Sequence, residues 1–564
     1  MTSPAQVLAA NLLAQLVANG VDHIFLAPGA RSQALAIAAG QLASAGHVQL
    51  HVRLDERSMA FQALGVGLSS GFPAALITTS GTAVANLHPA VLEAHHAGVP
   101  MILLTADRPA ELRGVGANQT TNQVGIFGEA VRECIDVPAP TETDSAESLA
   151  SLASDLALDA IATAVNQPGP VQLNLCFREP LSAAEPDAAQ IFDSVIADLD
   201  DANSEHVHGD DCDHDGAHQH EATEPVGEPD SVIDLNLKTV VIAGDGGYLA
   251  RWYTTGLPLL AEPSSGVRGL PEAIAGYLWL LESRTDLVQQ VQQVLVFGKP
   301  TLSRQIQALL KRPGLRILTD PGRHGVFNPT GTATPLGDDI EFVGEPDRAW
   351  LKSWQAAGSE LLAAQPNSAP AQGVSRRQLV EAVYSAARKT TPILLGASRL
   401  IREADRWAPM KERTVFANRG LAGIDGTIAT ATGIAMTHPG AKVRVLLGDL
   451  TLLHDASSLV IDPIDANLNI QLIVGNDGGG TIFEGLEVAK NLPKEAFEKL
   501  FYTPQRVNLE LLAGAYGWAY ERVTSLGQLE LALKSAGHIL IDVELAQAQE
   551  ETTGIGLSPA VRLA

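Results

Sequence analysis

The chain has 564 residues, of which 46% are hydrophobic and 18% charged, enough apolar material for about three to four packed cores. Its 64 acidic and 38 basic residues leave a net charge of −26, which repels a phosphate backbone and is not drawn to anionic lipid. Nucleic acid and membrane surface are therefore excluded as partners. Cys134, Cys176 and Cys212 are widely spaced and argue against a disulfide framework or thiolate zinc site. No apolar run reaches the roughly 18 residues of a membrane span, and the apolar stretch from Val7 to Val17 lacks a basic leader. A soluble, cytoplasmic protein is expected.

Thr2-Ser3-Pro4 reads as a helix start and Gly20 as its stop. Apolar strands are expected at His23–Ala27, Gln49–Arg53, Ala74–Thr79, Met101–Thr105 and Val171–Leu175, with helices between them. That rhythm gives a parallel sheet covered on both faces, in a first domain over residues 1–185. Residues 186–235 turn acidic and polar, with five histidines and a cysteine between His206 and His220. They are expected to be a disordered linker or surface insertion, in preference to a metal site, because no fixed ligand spacing appears.

A middle α/β domain over 236–368 should contain strands at Thr239–Ala243, Gln293–Phe297 and Arg316–Leu318. Ser375 with Gln378 makes a capping box just inside a third domain, 369–564. Its strands are expected at Pro392–Leu395, Val443–Leu447, Ile470–Val474 and Ile539–Val543. The fold class is α/β, with three domains of parallel sheets covered by helices.

The strongest chemical signal is the strand ending in Gly448-Asp449-Leu450, followed by Asn476-Asp477-Gly478-Gly479-Gly480 at the end of the next apolar strand. Each is an ordinary turn sequence on its own. The 27-residue interval from Asp449 to Asn476, however, fits strand, helix and parallel strand, which puts both side chains at the carboxyl edge where open α/β sheets bind ligands. Asp449, Asn476 and the Gly478 carbonyl suit magnesium, which takes oxygen ligands and draws several from phosphate or water. Gly244-Asp245-Gly246-Gly247 looks similar, but Glu272 and a proline stand at the matching interval, so it is discounted.

This motif resembles the diphosphate-binding motif of thiamine-diphosphate enzymes. Further segments narrow the resemblance to the 2-succinyl-5-enolpyruvyl-6-hydroxy-3-cyclohexene-1-carboxylate synthase family. They are Ala27-Pro28-Gly29-Ala30-Arg31-Ser32, the run from Thr78 to Asn86, Thr105-Ala106-Asp107-Arg108-Pro109, Gly116-Ala117-Asn118-Gln119, Asn418-Arg419-Gly420 and Gly423-Ile424-Asp425-Gly426. The match runs through the first and third domains and is thin in the middle one.

The resemblance implies decarboxylation of 2-oxoglutarate on thiamine diphosphate and conjugate addition of the resulting succinyl carbanion to isochorismate, in menaquinone biosynthesis. Magnesium is the implied metal, with manganese as an alternative, and the implied assembly is a homodimer or homotetramer. Glu56 becomes the catalytic carboxyl group, held against the aminopyrimidine ring so that a proton leaves the thiazolium carbon. Cofactor contacts are implied for Ser80, Gly81, Asn86, Gly423, Ile424, Gly448, Asp449, Leu450, Asn476, Gly479 and Phe483. Substrate contacts are implied for Arg31, Arg108, Asn118, Gln119, Ser398, Arg402, Arg419, Ile482, Phe483 and Leu486, with Arg304 as a further candidate. Both substrates are dicarboxylates, and the planar fork of arginine grips such groups bidentately.

The sequence departs from the family pattern at Ala30, where serine is common, at Gly475, where asparagine is common, and at Thr481, an extra loop residue. Other thiamine-diphosphate enzymes are the nearest alternative, but their main substrates carry one carboxylate. A nucleotide-binding dehydrogenase would need a Gly-x-Gly-x-x-Gly after an early strand, which is missing. A metal-buffering protein built on the histidine tract is a third reading.

Overall fold

The computed structural model describes residues 3–182, 186–207, 231–323, 325–367 and 369–546. Two compact units form, Met1–Ser231 with Asp338–Glu341, and Val232–Gly337 with Phe342–Ala564.

In the first unit, short runs of apolar residues become strands β1 (His23–Leu26), β2 (Gln49–Val52), β3 (Ala74–Thr78), β4 (Met101–Asp107), β5 (Glu133–Val137) and β6 (Pro170–Cys176). They form one parallel sheet in the order β2-β1-β3-β4-β6-β5. The strands β1, β3, β4 and β6 are buried along their whole length, which is why they read as continuous apolar runs. The first helix, Pro4–Ala18, carries proline in its first turn and packs Leu8, Leu12 and Leu16 into this core. Helix Ala146–Asn166 is long and apolar enough to cross a membrane by length and composition. Its buried face, including Leu149, Ala153, Leu156 and Ala160, packs into the core, while Asp155 and Asp159 face outward.

The expected disordered linker needs correction at its start. Ala188–Val207 is a helix, because Ala188, Ile191 and Phe192 recur at helical spacing and pack against the first core. Most of the histidine tract, from 208 onward, lies outside the described residues.

The second unit is built mainly on two sheets. Strands β7 (Thr239–Ala243), β8 (Leu259–Ala261), β9 (Gln293–Phe297), β10 (Arg316–Thr319) and β11 (Thr334–Pro335) pair in the order β11-β10-β9-β7-β8. The other sheet contains β12 (Ile393–Leu395), β13 (Val415–Phe416), β14 (Lys442–Gly448), β15 (Asn469–Asn476), β16 (Ala519–Val523) and β17 (Ile539–Glu544). Its order is β13-β12-β14-β15-β17-β16, all parallel, which repeats the arrangement of the first sheet strand for strand. The helix Arg376–Ala386 opens with the expected capping box, Gln378 N–H donating to Ser375 Oγ and Ser375 N–H to Gln378 Oε1.

Candidate active site

The repeated topology places two groups of side chains at equivalent strand ends. In the first unit, Arg31 follows β1, Glu56 follows β2, Ser80 follows β3 and Arg108 follows β4. In the second, Ser398 follows β12, Arg419 follows β13, Asp449 follows β14 and Asn476 closes β15. These carboxyl ends flank the point where strand order reverses, where the crevice of an open α/β sheet lies.

Gly448 and Gly475 are register partners, so Asp449 and Asn476 emerge next to each other. Asp449 is 6% exposed. Burial pushes its carboxyl up to about 7, and the neighbouring Asp477 adds to the effect. Asn476 donates through Nδ2 to Asp542 Oδ1 at 3.0 Å, which fixes the amide so that Oδ1 accepts the Gly478 N–H at 3.0 Å. Gly478 adopts φ +71°, a conformation that side chains resist. Tyr502 donates to the Asp477 carbonyl at 2.6 Å, and Asp477 itself takes bonds from Arg376 and Thr481. A side chain on Gly479 would meet the Tyr502 carbonyl at 2.5 Å. The result is an all-oxygen donor set on a braced loop, with a buried carboxyl that a divalent cation would stabilise in its ionised form. These residues fit magnesium.

Thr481 is 6% exposed and its hydroxyl is engaged by Asp477, so the extra residue is built into the loop. Ile482 and Phe483 ride on the short turn Thr481–Gly485, with Leu486 just after it, and all three are half-buried. Phe483 packs edge-on against Phe501 at 5.6 Å. Gly475 has its own reason: a Cβ there would sit 2.9 Å from Leu400 and 3.1–3.2 Å from Leu545 and Leu379.

Ser398 caps helix Arg399–Trp407, accepting the Leu400 N–H, and its carbonyl accepts Arg402 at 2.9 Å. Burial lowers the Arg402 pKa, with Arg419 and Arg304 adding to the effect, so these cations share one neighbourhood. Arg419 is 4% exposed, donates to Thr301, and leaves its Nε without a partner. An orphaned buried guanidinium nitrogen suits an incoming anion. The turn carrying Thr301 is held by Glu262, which accepts the Leu302 N–H at 2.9 Å. Full burial pushes the Glu262 carboxyl up to about 8. Arg304 instead pairs with Glu487 at 3.2 Å on the surface. Leu450 lies in the first turn of helix Asp449–His454, while Gly423 and Ile424 precede helix Thr427–Met436. Ile424 is half-buried, and its carbonyl accepts Thr427 Oγ1 at 3.3 Å.

In the first unit, Asp55 caps helix Glu56–Ser70 by accepting the Arg57 and Ser58 N–H groups, which frees Glu56 to project from its first turn. Asn86 Nδ2 donates to Glu56 Oε2 at 3.4 Å. Arg108 is buried and donates to Ser80 Oγ and, at 2.6 Å, to the Gln119 carbonyl. Its pKa is lowered by burial and then by Arg31. Arg31 donates to the Phe177 carbonyl at 3.0 Å, and its Nε is another buried orphan. Gln119, at φ 53°, donates to the Ser80 carbonyl at 2.9 Å, while Asn118 is exposed. The carbonyl of Ala30 accepts Gln33 at 2.9 Å. Gln123 was not singled out from the sequence, yet it is fully buried and accepts the Gly81 N–H at 2.9 Å. No local motif marked it. The discounted Asp245 is buried and paired with Arg323 at 3.4 Å.

Two sheets of this order, one with an acid–amide pair at its carboxyl edge and the other with a glutamate there, are the arrangement expected of thiamine pyrophosphate enzymes. Residues 7–126 match the thiamine pyrophosphate enzyme N-terminal TPP binding domain and residues 401–543 the C-terminal TPP binding domain. The chain is 43% identical over 598 aligned positions to the 2-succinyl-5-enolpyruvyl-6-hydroxy-3-cyclohexene-1-carboxylate synthase of Leifsonia xyli subsp. xyli (strain CTCB07), covering 96% of this chain and 97% of that one. The enzyme of the same name from Clavibacter michiganensis subsp. michiganensis (strain NCPPB 382) is 43% identical, with 97% of both chains covered. That from Thermobifida fusca (strain YX) is 37% identical over the whole of both. The chain belongs to the 2-succinyl-5-enolpyruvyl-6-hydroxy-3-cyclohexene-1-carboxylate synthase family.

Proposed function

We propose that this protein joins the succinyl unit left by decarboxylation of 2-oxoglutarate to isochorismate, using thiamine diphosphate and Mg²⁺, with Mn²⁺ as a substitute metal. The observation that carries the reading is the pairing of Asp449 with Asn476 at adjacent strand ends, with the part-buried Arg402 and the buried Arg419 on the segments that follow β12 and β13 of the same sheet.

Asp449, Asn476 and the Gly478 carbonyl would hold the metal, with Gly448, Leu450 and Gly479 around the diphosphate. Gly423, Ile424 and Phe483 would support the rings, and Ser80, Gly81 and Asn86 the pyrimidine side. When bound, thiamine diphosphate supplies a nucleophilic carbon and an electron sink for the carboxylate that leaves. The chain's own part is binding, orientation and proton handling. The Glu56 carboxyl would exchange a proton with the pyrimidine ring of the bound cofactor through Oε1, while Oε2 accepts the Asn86 amide at 3.4 Å. Arg402 and Arg419 offer cations to one dicarboxylate, and Arg31 and Arg108 offer them to the other. Ser398, Asn118 and Gln119 add hydrogen bonds. Ile482, Phe483 and Leu486 exclude water from the reacting carboxylate.

A homodimer or homotetramer in the cytoplasm suits this chemistry. Leu54 beside Glu56 is 89% exposed and Val115 in the 108–119 loop is 68% exposed, apolar surface that a second copy would cover. Titrating thiamine diphosphate into chelator-treated protein tests the site. Saturable binding that requires Mg²⁺ supports the reading, and equal binding without metal counts against it.

A further inference from the structure

The segment bearing Arg108, Asn118 and Gln119 leaves β4 at Asp107 and runs largely over the surface, with Glu111, Leu112, Gly114, Val115 and Gly116 exposed. A surface loop loses entropy when it holds one geometry, so a precise substrate contact on it needs an anchor. Arg113 turns inward from the middle of this exposed run. Its Nε donates to the Arg108 carbonyl at 3.1 Å, and its two terminal nitrogens grip Asp136 on β5 at 2.8 and 2.9 Å. The same fork lies 3.0 Å from Asp107 Oδ2 and donates to Cys176 Sγ at the end of β6.

Asp107 is fully buried, and its other oxygen accepts the Arg108 N–H at 2.7 Å. One side chain therefore holds the Arg108 carbonyl directly and the Arg108 amide through Asp107. The network continues inward. Asn174 donates to Asp107 at 3.1 Å and to Asp136 at 2.8 Å, and it accepts Gln123, which in turn accepts the Gly81 N–H. Hydrogen bonding to Arg113 holds the Asp136 carboxyl below its ordinary range, while burial pushes the Cys176 thiol up to about 12, so the thiol stays neutral beside the ion pair.

We infer that Arg113 is a positioning residue, fixing the Arg108 backbone and thereby the direction in which the Arg108 guanidinium meets a substrate carboxylate. The inference rests on the proposed function in taking Arg108 as a substrate contact. Arg113 itself touches no reacting atom. Its bidentate grip on Asp136 and its bond to the Arg108 carbonyl need a planar fork, so lysine replaces only part of it.

The test compares wild type, Arg113→Met, Arg113→Lys and Asp136→Asn as full-length protein loaded with thiamine diphosphate and Mg²⁺. Arg113→Met should raise KM for one dicarboxylate substrate by about 10–100-fold, as losses of outer supporting partners do. Cofactor affinity should be unchanged, and Arg113→Lys should recover part of the loss. In an Arg108→Met background, Arg113→Met should add nothing, because the two act as one unit. Backbone hydrogen exchange across 108–119 should quicken in Arg113→Met whether or not the reaction is the one proposed. Active wild type with unchanged KM in Arg113→Met, fully additive effects, or unchanged exchange would each overturn the positioning role. Absence of coupled product from wild type would overturn the functional reading instead, leaving the exchange result to judge Arg113.

Discussion

Asp449 and Asn476 stand side by side because Gly448 and Gly475, the residues just before them, are direct partners across β14 and β15. A 27-residue interval in the sequence thus becomes a contact-range pair in space. The flanking strand ends β12 and β13 bring Ser398 and Arg419, and the first sheet repeats the same plan with Arg31, Glu56, Ser80 and Arg108.

Asp449→Asn should leave the fold intact, since it replaces a buried carboxyl by a neutral group of the same shape. Mg²⁺-dependent affinity for thiamine diphosphate should fall by on the order of 10²-fold, because a hard divalent cation loses its anionic ligand. Calorimetric titration at fixed Mg²⁺ reads the change.

Glu56→Gln should lower turnover by on the order of 10²–10⁴-fold, the range of a general acid–base group. Thermal unfolding should match wild type, because Asp55, not Glu56, caps the helix. Unchanged turnover would remove Glu56 from the chemistry.

Arg419→Ala should weaken substrate far more than cofactor. Truncating one partner of a buried charge pair costs about 2 kcal/mol or more, roughly 30-fold in affinity. Steady-state kinetics with each substrate varied in turn would show the rise in KM, and a loss confined to thiamine diphosphate binding would reassign the residue.

His23 gives a pH dependence independent of the site. It stacks with His51, its Nδ1 lying 3.1 Å from His51 Nε2. Burial, and then His51, lower the His23 pKa from 6.5 to about 4. The unfolded chain takes up this proton first, so stability falls as pH drops from about 6.5 toward 4 and rises again with pH across that window. Thermal unfolding of His23→Gln between those limits should show a shallower dependence than wild type. An identical slope would mean that other groups carry it.

Much of the architecture was legible because fully buried parallel strands are nearly pure apolar runs, as at Thr239–Ala243 and Gln293–Phe297, where expected and observed bounds coincide. The strands that were not anticipated include the edges β5, reading Glu-Cys-Ile-Asp-Val, and β16, reading Ala-Tyr-Glu-Arg-Val. An edge strand is only partly buried and carries charges, so its apolar signal is broken. The helix Ala188–Val207 hid for a similar reason, its apolar stripe diluted by aspartates.

Among site residues, those in glycine-rich turns could be found because the turn marks a strand end. Gln123 and Asn174 could not. Their importance lies in hydrogen bonds between residues 17–67 positions apart, which no local pattern encodes. Arg304, the further substrate candidate from the middle domain, faces solvent and pairs with Glu487.

The most direct test of the proposed reaction is carbon dioxide release and product formation by the purified protein with thiamine diphosphate, Mg²⁺ and 2-oxoglutarate, with and without isochorismate. The account predicts a coupled succinyl-cyclohexene product, stoichiometric with carbon dioxide, only when isochorismate is present. Decarboxylation that proceeds at full rate without isochorismate and yields no coupled product in its presence would contradict it.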